Sequence, residues 1–551
     1  MYIRGANYIL PDAMLRCSKE RCWAEVRYHA EMGLNMIRLW GGAAVPLHEF
    51  YEACDYYGIL LWSEFWITGD CDGRGATKNS PESNPNWPLD HKLFLASAAD
   101  VVKKLRNHPS IVLWCGGNEQ MPCKDLDDGL RIMLGCSKSL RCTNKYSVVE
   151  LDASRPYVSG SLWGGFGQGS GDFSDGPYGI QKESAFFSKD FYPYGFNPEV
   201  GSVGVPCAES MRSMFTSAAY QDPPKYTRKP DGTVVETVSP AWQFHKYITY
   251  GQELVSYGQP KGLEDFCLQA QIVNYTQYKA LLEGWGSFMW SKYTGMLIWK
   301  SANPWTALRG QLYDWYLNPC GGFFAAKDVC GEAVHVQMNS SDNSLEVVST
   351  FPGTIENARL AIETITLDNV RERKTMGPFS MGALQVTKLN QRIRAPDEST
   401  GVVFVKLDLV WSTGTSRNVF WLCPQASNFS SLQQWRSNKV QIIADIKTST
   451  VSNGTWVTDL RLSNNTASVA FFVSLKVCKG ESCNTCEDLV LPVHMTRNFV
   501  TIFPGETLNI QIECTPDPPS KQPFLLLEGW NVEKTFIPMK PNNQVYHNRH
   551  R

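Results

Sequence analysis

Ile111-Val-Leu-Trp-Cys-Gly-Gly-Asn-Glu119 sets four large apolar residues in a row, then a Gly-Gly turn carrying two polar side chains. A short, unbroken apolar run bounded by turn residues reads as a strand buried on both faces, the kind parallel sheets contain. Before it, Pro88–Asn107 has the periodicity of an amphipathic helix, so helix feeds strand at this point. The same unit recurs on either side. Met1–Tyr8 reads as a strand, and residues 19–32 as a helix with Ser18 at its N-cap and Gly33 as its stop. Asn35–Trp40 is again a buried strand, followed by a helix opened by Pro46 and closed by Gly58, then a strand at Ile59–Ser63. Further short strands fit at Tyr157–Gly160, Gly176–Ile180, Tyr194–Pro198 and Gly295–Trp299, with a long helix over residues 263–283 before the last. Roughly eight strands with intervening helices make an α/β domain of the (β/α)₈ TIM-barrel type. A doubly wound open sheet gives similar alternation, so periodicity favours the barrel without deciding the matter.

After Trp315 the pattern changes to short alternating strands such as Val334–Met338, Val402–Val410 and Val469–Val477, separated by Pro352-Gly353, Asn453-Gly454 and Pro504-Gly505 turns. This spacing predicts two all-β, immunoglobulin-like sandwich domains joined near Asn428–Lys439. The expected division is a barrel over residues 1–318 and sandwiches over 319–430 and 431–551.

A chain of 551 residues with 43% hydrophobic and 19% charged residues has the composition of a globular protein of several domains. Its formal charge of −2 gives no electrostatic reason to expect nucleic acid or an anionic membrane as partner. No apolar run reaches the roughly 18 residues a membrane helix requires. The 18 tryptophans are a surplus, and a pyranose stacks its apolar face on an indole. The 17 cysteines form no small-protein disulfide framework, and Cys478, Cys483 and Cys486 lack the fourth ligand of a zinc site. Five N-x-S/T sequons, at Asn274, Asn339, Asn428, Asn453 and Asn464, suit a secretory protein but also arise by chance, leaving the compartment open. Met1 falls at the start of the first predicted strand, which is expected of a partial product of a longer gene.

The chemistry is expected where barrels build it, at the C-terminal ends of the strands. Glycosidic hydrolysis with retention calls for an acid that protonates the leaving oxygen and a second carboxylate that forms a glycosyl ester. Glu119 follows a buried strand directly, and Asn118 beside it can hydrogen-bond a sugar hydroxyl. The competing reading is a solvated Glu on a capped turn. Glu199, in Phe196-Asn-Pro-Glu-Val-Gly-Ser202, is the matching carboxylate from another strand end, and alone it would read as a surface Glu after Pro. The pair says more than either member, because two strand ends across one barrel mouth supply the required spacing. No G-x-S-x-G elbow, H-E-x-x-H helix or dinucleotide loop competes: Gly164–Gly169 lacks the spacing, and His48–Glu52 lacks the second His. No cofactor or metal is predicted.

Arg38-Leu-Trp-Gly-Gly42, Trp114–Glu119, Phe196–Ser202 and Gly295-Met-Leu-Ile-Trp299, in that order, resemble glycoside hydrolase family 2, the β-galactosidase/β-mannosidase group. Glu64–Asp70, Asp72–Gly75, Arg106–Ser110, Leu297–Lys300 and Asn303–Thr306 are similar to its plant endo-β-mannosidase subgroup, and the likeness runs to Gly529-Trp-Asn531. The resemblance implies Glu119 as acid/base and Glu199 as nucleophile. It implies Arg38 as the guanidinium that keeps the nucleophile ionised, Tyr178 as a donor to it, and Trp299 as the floor under the reactive sugar. Trp40, Trp163 and Trp305 become candidate subsite platforms. The implied substrate is the Manβ1-4GlcNAc linkage of N-glycan cores in oligosaccharides or glycopeptides. Exo-acting β-mannosidase or β-glucosaminidase activity is the alternative within the class, and a non-catalytic glycan-binding remnant the alternative outside it. Full-length members of the family are expected to carry a sugar-binding β-sandwich and an immunoglobulin-like domain before the barrel, and the resemblance does not extend to either within these 551 residues.

Overall fold

The computed structural model describes residues 1–68, 87–136, 145–161, 175–215, 217, 221–424 and 428–540. The chain forms two compact units. The first, Met1–Tyr178 with Lys189–Gly201 and Phe288–Trp305, is built on a seven-stranded, all-parallel sheet. Its strands are β1 (Ile3–Tyr8), β2 (Met36–Leu39), β3 (Leu60–Glu64), β4 (Ile111–Cys115), β5 (Tyr157–Val158), β6 (Phe196–Val200) and the last strand, Gly295–Ile298. The order is β5-β4-β3-β2-β1, then Gly295–Ile298, then β6. Each early strand is fed by a helix: α1 (Lys19–Glu31), α2 (His48–Tyr57) and α3 (His91–Leu105) precede β2, β3 and β4. Ser18 caps α1 by accepting from the Arg21 amide, and Gly58 ends α2 at φ +71°. His108 and the Ser110 amide both grip the Asp55 carboxylate, at 2.6 and 3.0 Å, which fixes the entry into β4.

The sheet curls enough for Arg38 of β2 to touch Glu199 of β6, three strands away in the sheet order. This is a TIM barrel with one position filled irregularly. The Gly176–Ile180 segment, expected to be a strand, is not one. It runs beside β6 through Gly176 N–H to Glu199 C=O at 2.7 Å and Gly201 N–H to Pro177 C=O at 2.9 Å. Gly176 sits at φ +81° and Pro177 has no N–H, so the extended run stops after one turn of pairing.

The second unit holds a 25-residue helix, Leu263–Ser287, and the all-β part. A three-stranded antiparallel sheet (Val334–Met338, Ser344–Ser349, Gln385–Arg392) shares a core with a four-stranded one (Arg371–Met381, Ile355–Thr366, Val403–Trp411, Gly414–Leu422). Val336, Val347, Leu360 and Leu407 lie between them. Two further four-stranded sheets follow, one containing Thr507–Cys514, whose Leu508, Ile510, Ile512 and Cys514 are buried at every second position. Cys478 and Cys483 are joined in a disulfide, which the sequence reading did not foresee, while Cys486 is a free thiol. Two of the five sequons are closed: Asn274 accepts from the Tyr250 hydroxyl and Asn464 donates to Ile502 C=O, both fully buried. No helix among the described residues is long and apolar enough to cross a membrane.

Candidate active site

Arg38 is the hub. It ends β2 fully buried, and a guanidinium without water must find every partner within the protein. Its Nε donates to Glu64 Oε1 at 2.7 Å. Its Nη1 donates to Asn7 Oδ1 at 2.9 Å and Glu199 Oε1 at 2.6 Å, and its Nη2 to Asn118 Oδ1 at 2.5 Å. The four side-chain partners come from β1, β3, β6 and the turn after β4, so one side chain ties four strand ends together. The partners are themselves held: Gly41 N–H reaches Glu64 Oε2 at 2.8 Å, and Asn7 Nδ2 reaches Pro198 C=O at 2.9 Å. Burial would depress Arg38, but the Glu64 and Glu199 carboxylates outweigh it and hold the guanidinium well above its ordinary range.

The turn after β4 is dictated by crowding. A Cβ on Gly116 would meet Ser159 C=O at 2.4 Å, and one on Gly117 would meet Ile67 C=O at 2.7 Å. Only glycine lets the chain pass there. Asn118 N–H then bonds Ile67 C=O at 2.7 Å, and Glu119 is left in the left-handed region at φ +55°, its N–H on Ser161 Oγ at 2.9 Å. That conformation costs a non-glycine residue about 1–2 kcal/mol and is kept where neighbours over-determine it, commonly at functional sites.

Glu199 is 3% exposed. Besides Arg38, it accepts from the Tyr178 hydroxyl at 2.9 Å, and its own N–H is fixed on Asn197 Oδ1 at 2.9 Å. One carboxylate oxygen from each of Glu119, Asp175 and Glu199 lies within 4.8 Å of the others. Burial pushes Glu199 up, Arg38 pulls it down, and Asp175 pushes it up again, with a net rise. Burial and the charge of Glu119 likewise push Asp175 up to about 6, against Tyr178 and Arg38. Tyr178 is raised by its own burial and by Glu199 and Asp175, so it stays a phenol and a donor. Three close carboxyls facing one guanidinium that also serves Glu64 repel one another's charge, which raises the proton affinity of the cluster.

The remaining sequence candidates divide. Trp40 and Trp299 stand edge to face at 5.7 Å, and Trp299 meets Tyr178 at 6.5 Å, so these rings flank the Glu199 side of the site. Both indoles are half-buried. Asn118 Oδ1 is taken by Arg38 and its Nδ2 contacts Thr68 Oγ1 at 3.3 Å, so toward a sugar it offers a donor rather than an acceptor. Trp305 is half-buried in the loop after the last strand, and its subsite role rests on the sequence alone. Trp163 lies outside the described residues. Much of the tryptophan surplus is core: Trp62, Trp114, Trp242, Trp285 and Trp530 are fully buried. Sequence reasoning missed Asn7, Glu64, Asn197 and Asp175. Asn7 and Glu64 carried a signal, since a polar residue closing an apolar barrel strand points to the mouth. Asp175 carried none, standing outside any strand.

The arrangement offers two carboxyls at the short spacing, about 5 Å, at which one attacks the anomeric carbon directly; inverting enzymes hold theirs about 6.5–9.5 Å apart to seat a water. Among known proteins, residues 44–156 match the family model for the glycosyl hydrolases family 2 TIM barrel domain, and residues 418–532 match an exo-β-D-glucosaminidase Ig-fold domain. The chain is 39% identical to a mannosylglycoprotein endo-β-mannosidase of Lilium longiflorum, with 97% of this chain and 63% of that protein aligned. It is 26% identical to an exo-β-D-glucosaminidase of Streptomyces avermitilis, over 98% of this chain and 60% of the relative. It thus spans under two thirds of the length of these relatives. The fold is shared with the Amycolatopsis orientalis exo-chitosanase (TM-score 0.78, 22% identity, 98% of this chain and 64% of that one). A β-D-mannosidase from Dictyoglomus thermophilum shares it too (TM-score 0.68, 20% identity, 97% and 61%). With the barrel, the β-sandwich region and the motif order agreeing, the chain belongs to glycoside hydrolase family 2.

Proposed function

We propose that this chain is the catalytic part of a retaining glycosidase that cleaves β-mannosidic bonds, acting as an endo-β-mannosidase on the Manβ1-4GlcNAc linkage of N-glycan cores. The observation that carries the mechanism is the approach of Glu119 and Glu199 carboxylate oxygens to within 4.8 Å. The likeness to the lily enzyme supports the substrate.

Glu199 attacks the anomeric carbon as a carboxylate. Arg38 and Tyr178 orient it and stabilise the charge it carries before attack. As the C1–O bond breaks, Glu119 gives its proton to the departing GlcNAc oxygen, leaving a mannosyl ester on Glu199. Glu119, now a carboxylate, takes a proton from water. The hydroxide equivalent adds to C1 from the same face as the departed group, and the second inversion restores the β-configuration. Asn118 donates through Nδ2 to a sugar hydroxyl, and Trp299 and Trp40 present aromatic surface to the ring. The substrate partner is thus an N-glycan-derived oligosaccharide or glycopeptide.

The match of residues 418–532 to a glucosaminidase Ig-fold domain favours one rival, exo action. Incubation with Manα1-6Manβ1-4GlcNAc-capped oligosaccharide separates the two. Endo action releases Manα1-6Man. Release of free mannose from an unsubstituted Manβ1-4GlcNAc terminus, with the capped substrate untouched, overturns the endo reading. Binding without turnover marks a non-catalytic remnant.

A further inference from the structure

We propose that Asp175 is a third working carboxyl of this site, a positioning residue that shares the proton of Glu119 and keeps that acid loaded. The inference rests on the mechanism above and adds to it. Asp175 is set by its backbone: the next residue, Gly176, donates its N–H to Glu199 C=O at 2.7 Å, and its C=O accepts from Asn197 Nδ2 at 3.1 Å. The strand that presents Glu199 therefore also fixes Asp175, and one oxygen of each lies within 4.8 Å of the other and of Glu119. Asp175 Oδ2 is shut off from solvent and finds no hydrogen-bond partner among the described residues.

The facing charged and titratable groups are Glu119, Glu199, Tyr178, Tyr192 and, behind Glu199, Arg38 with Glu64. Arg38 spends its described bonds on Glu64, Asn7, Glu199, Asn118 and Pro198 C=O. Tyr178 has one hydroxyl hydrogen, which the carboxylates of Glu199, at 2.9 Å, and Asp175 both compete for. A buried carboxylate oxygen beside a second carboxyl is satisfied by an O–H between them, and such a pair holds one proton more tightly than either group alone. The raised proton affinity of Asp175 agrees with this.

The arrangement serves both half-reactions. Before cleavage, the negative charge of Asp175 keeps the proton on Glu119 at neutral pH. That proton then passes to the glycosidic oxygen, which takes the electron pair of the breaking C1–O bond, while a Glu199 oxygen forms the ester. Afterwards the same charge makes the ionised Glu119 a stronger base toward the incoming water, whose oxygen bonds to C1 as the ester bond returns its electrons to Glu199.

The test is kcat/KM against pH for the full chain and Asp175→Asn. One substrate is the mannosyl oligosaccharide; the other is an aryl β-mannoside whose good leaving group requires no acid. The expected result is a fall of the alkaline limb by about one pH unit. At pH 7 the loss on the oligosaccharide should be at least ten times that on the aryl glycoside. Asp175→Glu, which restores the charge, should return the limb part of the way. An unmoved limb, or equal losses on both substrates, overturns the proposal. Glu199→Ala run alongside separates the levels. If it keeps its rate, the parent mechanism has failed; if it is dead while the Asp175→Asn limb stays put, only the role of Asp175 has. Carboxyl titration by difference infrared spectroscopy reads the same shift without turnover, and an unchanged Glu119 titration in Asp175→Asn overturns the proposal there too.

Discussion

Two clusters of ionisable groups, one in each unit, invite comparison. In the second unit, Glu283 Oε1 accepts from His335 at 2.9 Å and Asn418 at 2.7 Å, with Lys279 at 3.5 Å. Burial pushes Glu283 up, yet Lys279, His335 and Asn418 outweigh it and hold the carboxyl below its ordinary range. In the barrel unit, three carboxyls gather within 4.8 Å around a guanidinium already shared with Glu64, and Glu199 and Asp175 are raised. The first cluster is matched in charge and supplied with donors, which makes it a fastening. The second carries an excess of like charge and a buried oxygen that no described neighbour satisfies, a strain that a proton or a substrate relieves.

The difference predicts opposite responses to mutation. The largest effect belongs to Glu199→Ala, expected to cut turnover by about 10⁴-fold or more while the melting temperature holds or rises, since one charge leaves a crowded site. Stopped assays beside thermal melts measure both. Glu119→Ala comes next: a loss of about 10²–10⁴-fold on oligosaccharide and far less on an aryl glycoside with a good leaving group. Equal losses on the two substrates would remove Glu119 from the acid role.

Glu283→Ala should do the reverse. Breaking a buried ion pair destabilises by about 3 kcal/mol, read from urea unfolding, while the pH–rate profile stays in place. Because the folded-state pKa of Glu283 is depressed, its contribution is present above about pH 4.5, the unfolded value, and is lost as pH falls through the lower folded one. The stability gap between wild type and Glu283→Ala should therefore narrow in acid. The smallest effect is on the bell-shaped kcat/KM profile. The upward shift of Glu199 places the acid limb above about pH 4.5, and an acid limb at the ordinary carboxylate value would contradict the raised nucleophile.

What the sequence disclosed follows from how local each signal was. β4 and its Gly-Gly-Asn-Glu turn were legible because burial and turn chemistry are written in consecutive residues. Glu199 was legible through its motif, and the sandwich strands through their period of two. Asp175 was not, because its importance comes from Gly176 and Asn197 docking it against β6. No local pattern records that contact. The expected strand at Gly176–Ile180 failed for a related reason: a positive-φ glycine followed by proline ends an extended run that its apolar neighbours suggest. The tryptophans misled in part, since composition cannot tell an indole in the core, such as Trp114, from one at the mouth, such as Trp299.

The most direct measurement is peptide mapping after incubation with a 2-deoxy-2-fluoro-mannosyl donor bearing a good leaving group, which forms the ester faster than water can break it. The account predicts one glycosyl adduct per chain, on the peptide containing Glu199. A label on another residue, or steady turnover to the inverted anomer with no adduct, would contradict it.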